Sequence, residues 1–192
     1  MKNVIVGQSG GPTAVINGSL YGVISESLKQ KTEIEHVYGM INGIEGFLHG
    51  NIMDVGALAQ TNELELIRTT PGAYLGSCRY KLPEDLEDDV YSKLFQRFEE
   101  YHIGYFFYIG GNDSMDTVSK LSRYAQRIKS DIRFIGVPKT IDNDLVHTDH
   151  TPGYGSAAKY VATTVREIAT DATVYDNKQS VTIVEIMGRH AG

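Results

Sequence analysis

The sequence predicts an α/β fold: a doubly wound, mostly parallel sheet with helices on both faces. Three observations carry this expectation. Apolar runs end in glycine or acidic turns at Gly10–Gly11, Gly110–Ser114 and Lys139–Asp144. The first two turns lead into stretches with helical spacing, Val15, Ile16, Leu20, Val23, Ile24 and Leu28, then Met115, Val118, Leu121, Tyr124, Ala125 and Ile128. The run Tyr105-Phe106-Phe107-Tyr108-Ile109 is continuous rather than alternating, the texture of a strand buried on both faces of a parallel sheet.

Taken in order, Asn3-Val4-Ile5-Val6-Gly7 reads as a first strand, and its helix ends in the polar tract Lys29-Gln30-Lys31. Glu35-His36-Val37-Tyr38-Gly39 is the next strand and completes a βαβ unit. Asn42 to Gly50 is glycine-rich and reads as loop, Asp54 to Gln60 as a short helix, and Arg68 to Arg79 as a long polar loop. Pro83-Glu84-Asp85-Leu86 reads as the opening of a helix that continues through Val90, Leu94, Phe95, Phe98 and Tyr101. Asn112, Asp113 and Ser114 are candidate N-caps after the central strand. Asp131 to Pro138 is a further strand. A long helix follows Thr151-Pro152-Gly153-Tyr154-Gly155, with Ala158, Val161, Ala162, Val165, Ile168 and Ala169 on its inner face. Asp176 to Gln179 reads as loop and Val181 to Met187 as a last strand, with a turn at Gly188-Arg189-His190 after it; a chain that stops in such a turn is expected to be truncated.

Composition limits the function classes. The 192 residues are 41% hydrophobic, enough for a core, and make one good-sized domain or one domain plus part of another. A formal charge of −6 with no basic block speaks against nucleic-acid binding. The single cysteine, Cys78, cannot form an intrachain disulfide and suits a reducing compartment. No leader is visible and no apolar run approaches the ~20 residues of a membrane helix. The expectation is a cytoplasmic protein without a membrane partner.

The turns are the candidate sites. In a doubly wound sheet they line up along the carboxyl edge of the strands, where ligands bind. Glycines let backbone approach a phosphate, and helix starts offer free N–H groups. The Gly10–Gly11 turn matches neither the dinucleotide nor the Walker pattern, and it is equally compatible with a tight βα corner. Arg68 and Arg79 suit phosphate, or are solvated charges. Lys139-Thr140-Ile141-Asp142-Asn143-Asp144 sets two carboxylates beside a lysine. One can act as general base and the other can help hold a metal, while the lysine neutralises charge on a transferring group. An Asx-rich turn explains the acidic residues equally well but leaves the lysine without a role. His147-Thr148-Asp149-His150 is not a closed zinc site. Together the inventory fits metal-assisted phosphoryl transfer to a hydroxyl.

Four motifs then appear in a fixed order: Gly10-Gly11, Gly110-Gly111-Asn112-Asp113-Ser114, Pro138-Lys139-Thr140-Ile141-Asp142-Asn143-Asp144 and Met187-Gly188-Arg189-His190. In this the whole chain resembles the phosphofructokinases. The resemblance implies a phosphofructokinase-like fold whose C-terminal part is missing here, with residues 1–147 as a phosphoryl-donor domain and 148–192 as the start of a sugar-phosphate domain. It implies transfer to the 1-hydroxyl of fructose 6-phosphate, with Mg2+ as cofactor and a homo-oligomer at full length. Asp142 matches the proton acceptor, with Lys139 and Asp144 as its catalytic companions. Thr140, Ile141, Asp142, Met187, Gly188 and Arg189 match the sugar-phosphate site, and Gly11, Arg79, Gly111, Asn112, Asp113 and Ser114 the donor site. Asn112, Asp113 and Asp144 are the candidate metal ligands.

Two positions bear on the donor. Asp113 replaces the last glycine of the usual GGDGS turn, and Lys139 replaces the glycine before Thr140. The pair resembles the pyrophosphate-dependent branch. A carboxylate at 113 adds bulk and charge where the rest of ATP would pass, and a lysine at 139 adds a cation beside a small anionic donor. ATP as donor, and a non-catalytic role in binding phosphate ligands, are the alternatives. Asn112 stands where the family usually has a metal-binding aspartate. Ser180 stands where bacterial ATP-dependent enzymes have an arginine that reaches a neighbouring subunit.

Overall fold

In the computed structural model, which describes residues 1–174 and 181–189, strands β1 (Lys2–Gln8), β2 (Ile34–Met40), β3 (Ile52–Asp54), β4 (Ile103–Gly110) and β5 (Arg133–Pro138) form one sheet in the order β3-β2-β1-β4-β5. β1 runs parallel to β2 and β4, and β4 parallel to β5; only the edge strand β3 is antiparallel, against β2. The helices are α1 (Ala14–Lys29), α2 (Gly43–Leu48), α3 (Glu63–Thr69), α4 (Asp89–Glu100), α5 (Asn112–Arg127) and α6 (Tyr154–Ala172), with a 3-10 turn at Gly56–Gln60. The described residues belong to two compact units, Met1–Lys139 and Thr140–Gly192.

In the first unit, successive strand residues point to opposite faces, and each face has its own core. Ile5, Met40, Phe106 and Tyr108 pack with Ile44 and Phe47 of α2, Tyr91, Leu94 and Phe98 of α4, and Leu121 of α5. Val4, Val6, Val37 and Ile109 pack with Ile16, Leu20 and Ile24 of α1 and Ile67 of α3. The mostly parallel sheet with helices on both faces is the expected one.

Several elements depart from the sequence reading, each for a local reason. Asn42 to Gly50 is not a loop. Asn42 takes a left-handed backbone, φ 59°, and starts α2, which buries Ile44 and Phe47. The helix expected from Pro83 begins at Asp89. Asp85 closes its own turn by accepting from the Glu87 amide (2.9 Å), and Asp88 caps α4 by accepting from Val90 (3.0 Å). The cap of α5 is Gly111, so Asn112, Asp113 and Ser114 occupy its first turn. β3 and α3 carry no strong pattern of their own.

In the second unit, the Thr140 amide donates to the Pro152 carbonyl (3.1 Å), and Thr140 bridges to Gly153, the residue before α6. α6 forms as expected, but none of its residues is buried, and the apolar face through Val165 and Ile168 lies open. Residues 181–187 are extended and exposed rather than a strand. A strand needs a neighbouring ladder, and among the described residues these pair with none. The loop at 176–179, Ser180 and His190 lie outside the described residues. No helix among the described residues is long and apolar enough to cross a membrane.

Candidate functional site

The first unit has a candidate site where the strand order reverses. From β1 the sheet grows to β2 on one side and to β4 on the other, which opens a crevice beyond the carboxyl ends of β1 and β4. Gly10 and Gly11 follow β1. Gly10 has a positive φ of 75°, and a side chain at Gly11 would meet open space. Gly111 leads from β4 into α5. Lys139 follows β5 and joins these turns: its amide donates to the Gly110 carbonyl (2.9 Å), and its Nζ donates to the Gly11 carbonyl (2.6 Å), with the residue 3% exposed. Gly11, Gly111 and Lys139 are therefore brought together.

The long loop expected to be polar and functional is pinned against this crevice by side chains that pattern reading passed over. Gln8 and Asn17 are fully buried. Gln8 accepts from the Leu75 amide (2.9 Å) and donates to Asn17 Oδ1 (3.0 Å). Asn17 accepts from the Tyr74 amide (2.9 Å) and donates to the Thr70 carbonyl (2.8 Å). Ser77 Oγ donates to the Gly10 carbonyl (2.5 Å), and the Gly10 amide donates to the Cys78 carbonyl (3.1 Å). The one signal available in sequence was a polar residue at an inward position of a strand and of a helix, where an unpaired side chain would be costly.

The remaining donor-side residues separate into exposed and buried. Arg79, Asn112 and Asp113 are exposed. Asp113 Oδ1 lies 3.1 Å from Lys81 Nζ, a residue the sequence reading did not single out. Ser114 is buried beneath Gly110, where a β-carbon would fall 1.8 Å from Ser114 Oγ. Arg68 belongs to the last turn of α3, 3.7 Å from Glu65 and over the Tyr21 ring, so it is a solvated surface charge.

The second unit gathers the carboxylates. Asp142 Oδ1 accepts from the Arg189 amide (3.2 Å), and Arg189 Nη1 lies 3.7 Å from Asp144 Oδ2. Asn143 between them takes a left-handed backbone, φ 50°. Its side chain accepts from the Thr151 amide (2.9 Å) and donates to the Asp149 carbonyl (3.1 Å). Thr140 Oγ1 accepts from the Asp142 amide (3.0 Å), and Thr151 Oγ1 donates to the Thr140 carbonyl (2.5 Å). The turn is thus Asx-built and positions two carboxylates, so the two readings of this motif are compatible. Ile141 is half-buried in the turn, whereas Met187 and Gly188 are exposed on the extended segment. Among the described residues no three acidic, histidine or cysteine side chains converge on one point. Mg2+ is commonly held by one or two carboxylates, with water and phosphate oxygens completing its shell. Asp113 in the first unit, or Asp144 in the second, fits that donor set.

The phosphofructokinase family model matches residues 3–192. The chain belongs to the phosphofructokinase family. Over 99% of its length it is 45% identical to the pyrophosphate–fructose 6-phosphate 1-phosphotransferase of Xanthomonas campestris pv. campestris, covering 45% of that protein. It is 37% identical to the sulfofructose kinase of Alkalicoccus urumqiensis, covering 98% of this chain and 47% of that one. Against the ATP-dependent 6-phosphofructokinase of Photobacterium profundum the identity is 32%, over 100% of this chain and 54% of the relative. The crystal structure of the pyrophosphate-dependent phosphofructokinase of Marinobacter aquaeolei superposes with a TM-score of 0.81 at 45% identity, over 90% of this chain and 42% of that one. The chain thus spans about half the length of the relatives it matches and corresponds to the N-terminal part of these phosphofructokinases.

Proposed function

We propose that the chain is part of a pyrophosphate-dependent 6-phosphofructokinase, which transfers a phosphoryl group from pyrophosphate to the 1-hydroxyl of fructose 6-phosphate. The observation that carries this reading is Lys139, buried with its ammonium on the Gly11 carbonyl beside the β1 and β4 turns. A cation fixed there favours a compact, highly charged donor. The higher identity to named pyrophosphate users than to named ATP users supports it. The family resemblance extends it to a cytoplasmic homo-oligomer at full length, with residues 1–147 serving the donor and 148–192 opening the sugar-phosphate domain.

In this reading Gly11 and Gly111 offer backbone N–H groups to the donor, Arg79, Asn112 and Asp113 border it, and Ser114 supports the turn from beneath. Asp142 takes the proton of the attacking hydroxyl. Thr140 and Ile141 hold the Asp142 turn against the sugar, and Met187, Gly188 and Arg189 receive its phosphate. The Arg189 guanidinium, now 3.7 Å from Asp144, is a fork suited to that phosphate. Lys139 neutralises charge on the group in flight. Asp113 and the Asn112 amide oxygen in the first unit, or Asp144 in the second, would hold Mg2+, which would supply charge neutralisation on the phosphate oxygens.

The test is a donor comparison on the full-length gene product, with fructose 6-phosphate, Mg2+ and either pyrophosphate or ATP, following fructose 1,6-bisphosphate. Turnover with pyrophosphate and not ATP is expected. Turnover with ATP alone would overturn the donor assignment. No product with either donor would favour a phosphate-binding paralogue, for which Asn112 speaks.

A further inference from the structure

The donor assignment places a carboxylate, Asp113, where an anionic donor has to dock. Left alone, that charge would repel pyrophosphate as well as ATP. The structure shows how it is offset. Asp113, Asp116 and Lys120 lie at i, i+3 and i+7 on one face of α5, towards the segment 81–84. The inner cation is covered: Lys120 Nζ, its side chain only 4% exposed, donates to the buried Leu82 carbonyl (3.0 Å) and pairs outward with the exposed carboxylates of Glu84 (2.6 Å) and Asp116 (2.7 Å). The outer contact, from the residue before Leu82, is Lys81 to Asp113 at 3.1 Å. Leu82 is itself buried, so the backbone that presents Lys81 is anchored beside the donor turn.

We propose that Lys81 is a donor-site residue that sets affinity for a small, multiply charged phosphoryl donor. Its ammonium rests on Asp113 in the free protein and, on binding, also donates to a donor oxygen, so that it stands between the two anions. The adjustment costs little, because an ion pair between two largely exposed side chains holds the ammonium only loosely. Asp113 can then obstruct a longer donor without repelling a short one. This rests on the pyrophosphate reading above and adds a residue to it.

The experiment uses the full-length protein, with pyrophosphate and Mg2+ binding followed by calorimetry and initial rates measured in parallel. In Lys81→Met the Kd and KM for pyrophosphate rise about tenfold, while kcat and the KM for fructose 6-phosphate stay within about twofold, and Lys81→Arg restores pyrophosphate binding. Unchanged pyrophosphate affinity in Lys81→Met, with the wild type binding it, would overturn this inference alone and leave Lys81 a surface contact. A wild type that neither binds nor uses pyrophosphate would overturn the donor assignment and this inference with it.

Discussion

In the proposed reaction Asp142 is the base, and the turn fixes where it stands. One of its oxygens accepts the Arg189 amide, its own amide is fixed on Thr140 Oγ1, and its side chain remains a quarter exposed. An asparagine there keeps the hydrogen-bond shape and loses the ability to take a proton. In the full-length protein, Asp142→Asn is expected to lower kcat by about 10²–10⁴, while fructose 6-phosphate affinity changes only a few-fold. Equilibrium binding beside initial rates checks this. Unchanged turnover would remove Asp142 from the chemistry.

Among the elements, the β4–α5 corner shows why the glycine turn is required. Gly110 lies over Ser114, so an alanine β-carbon would fall 2.4 Å from Ser114 Cβ as well as close to its oxygen. No side-chain rotation relieves a clash with Cβ. Gly110→Ala is expected to cost about 2–4 kcal/mol, read as a lower Tm or denaturant midpoint. Adding Ser114→Gly removes both atoms and is expected to recover part of the loss, despite a helix-interior glycine costing about 1 kcal/mol. No recovery would show that the strain lies elsewhere. The strand–glycine–helix sequence of this corner was legible, because apolar runs and breakers report local structure directly. The Gln8–Asn17 and Lys120 networks were not, because a polar residue on an inward position looks like any solvated one until its distant partners, such as Leu75 for Gln8 and Leu82 for Lys120, are known. α6 was legible as a helix from its period, which identifies the apolar stripe and says nothing of what covers it; among the described residues nothing does. Residues 181–187 likewise have strand composition without a partner strand among the described residues.

For the first unit as a whole, the buried protonated groups predict where stability fails. Tyr108 ties β4 to α2 by accepting from the Ile44 amide (3.2 Å) and lies 3.5 Å from Cys78 Sγ. Burial first, then Cys78, pushes its phenol far above the ordinary 10.0. Burial likewise raises Tyr91, and the hydrogen bonds that Lys120 donates to Asp116 and then Glu84 raise it above 10.5. In each case the folded state holds the proton more tightly than the unfolded chain. Their contribution is complete below the unfolded values, near pH 10, and is lost as pH rises from there through the raised folded values. Unfolding is therefore expected to steepen above about pH 10, with tyrosinate absorbance near 295 nm rising together with loss of helix rather than ahead of it. Tyr108→Phe separates packing from titration. It leaves the Ile44 amide without its acceptor and should lower stability by about 1–2 kcal/mol at neutral pH, yet flatten the fall of Tm with pH above 10. An unchanged alkaline slope in that variant would mean that Tyr108 does not hold its proton more tightly in the folded state, and would leave the alkaline loss to Tyr91 and Lys120.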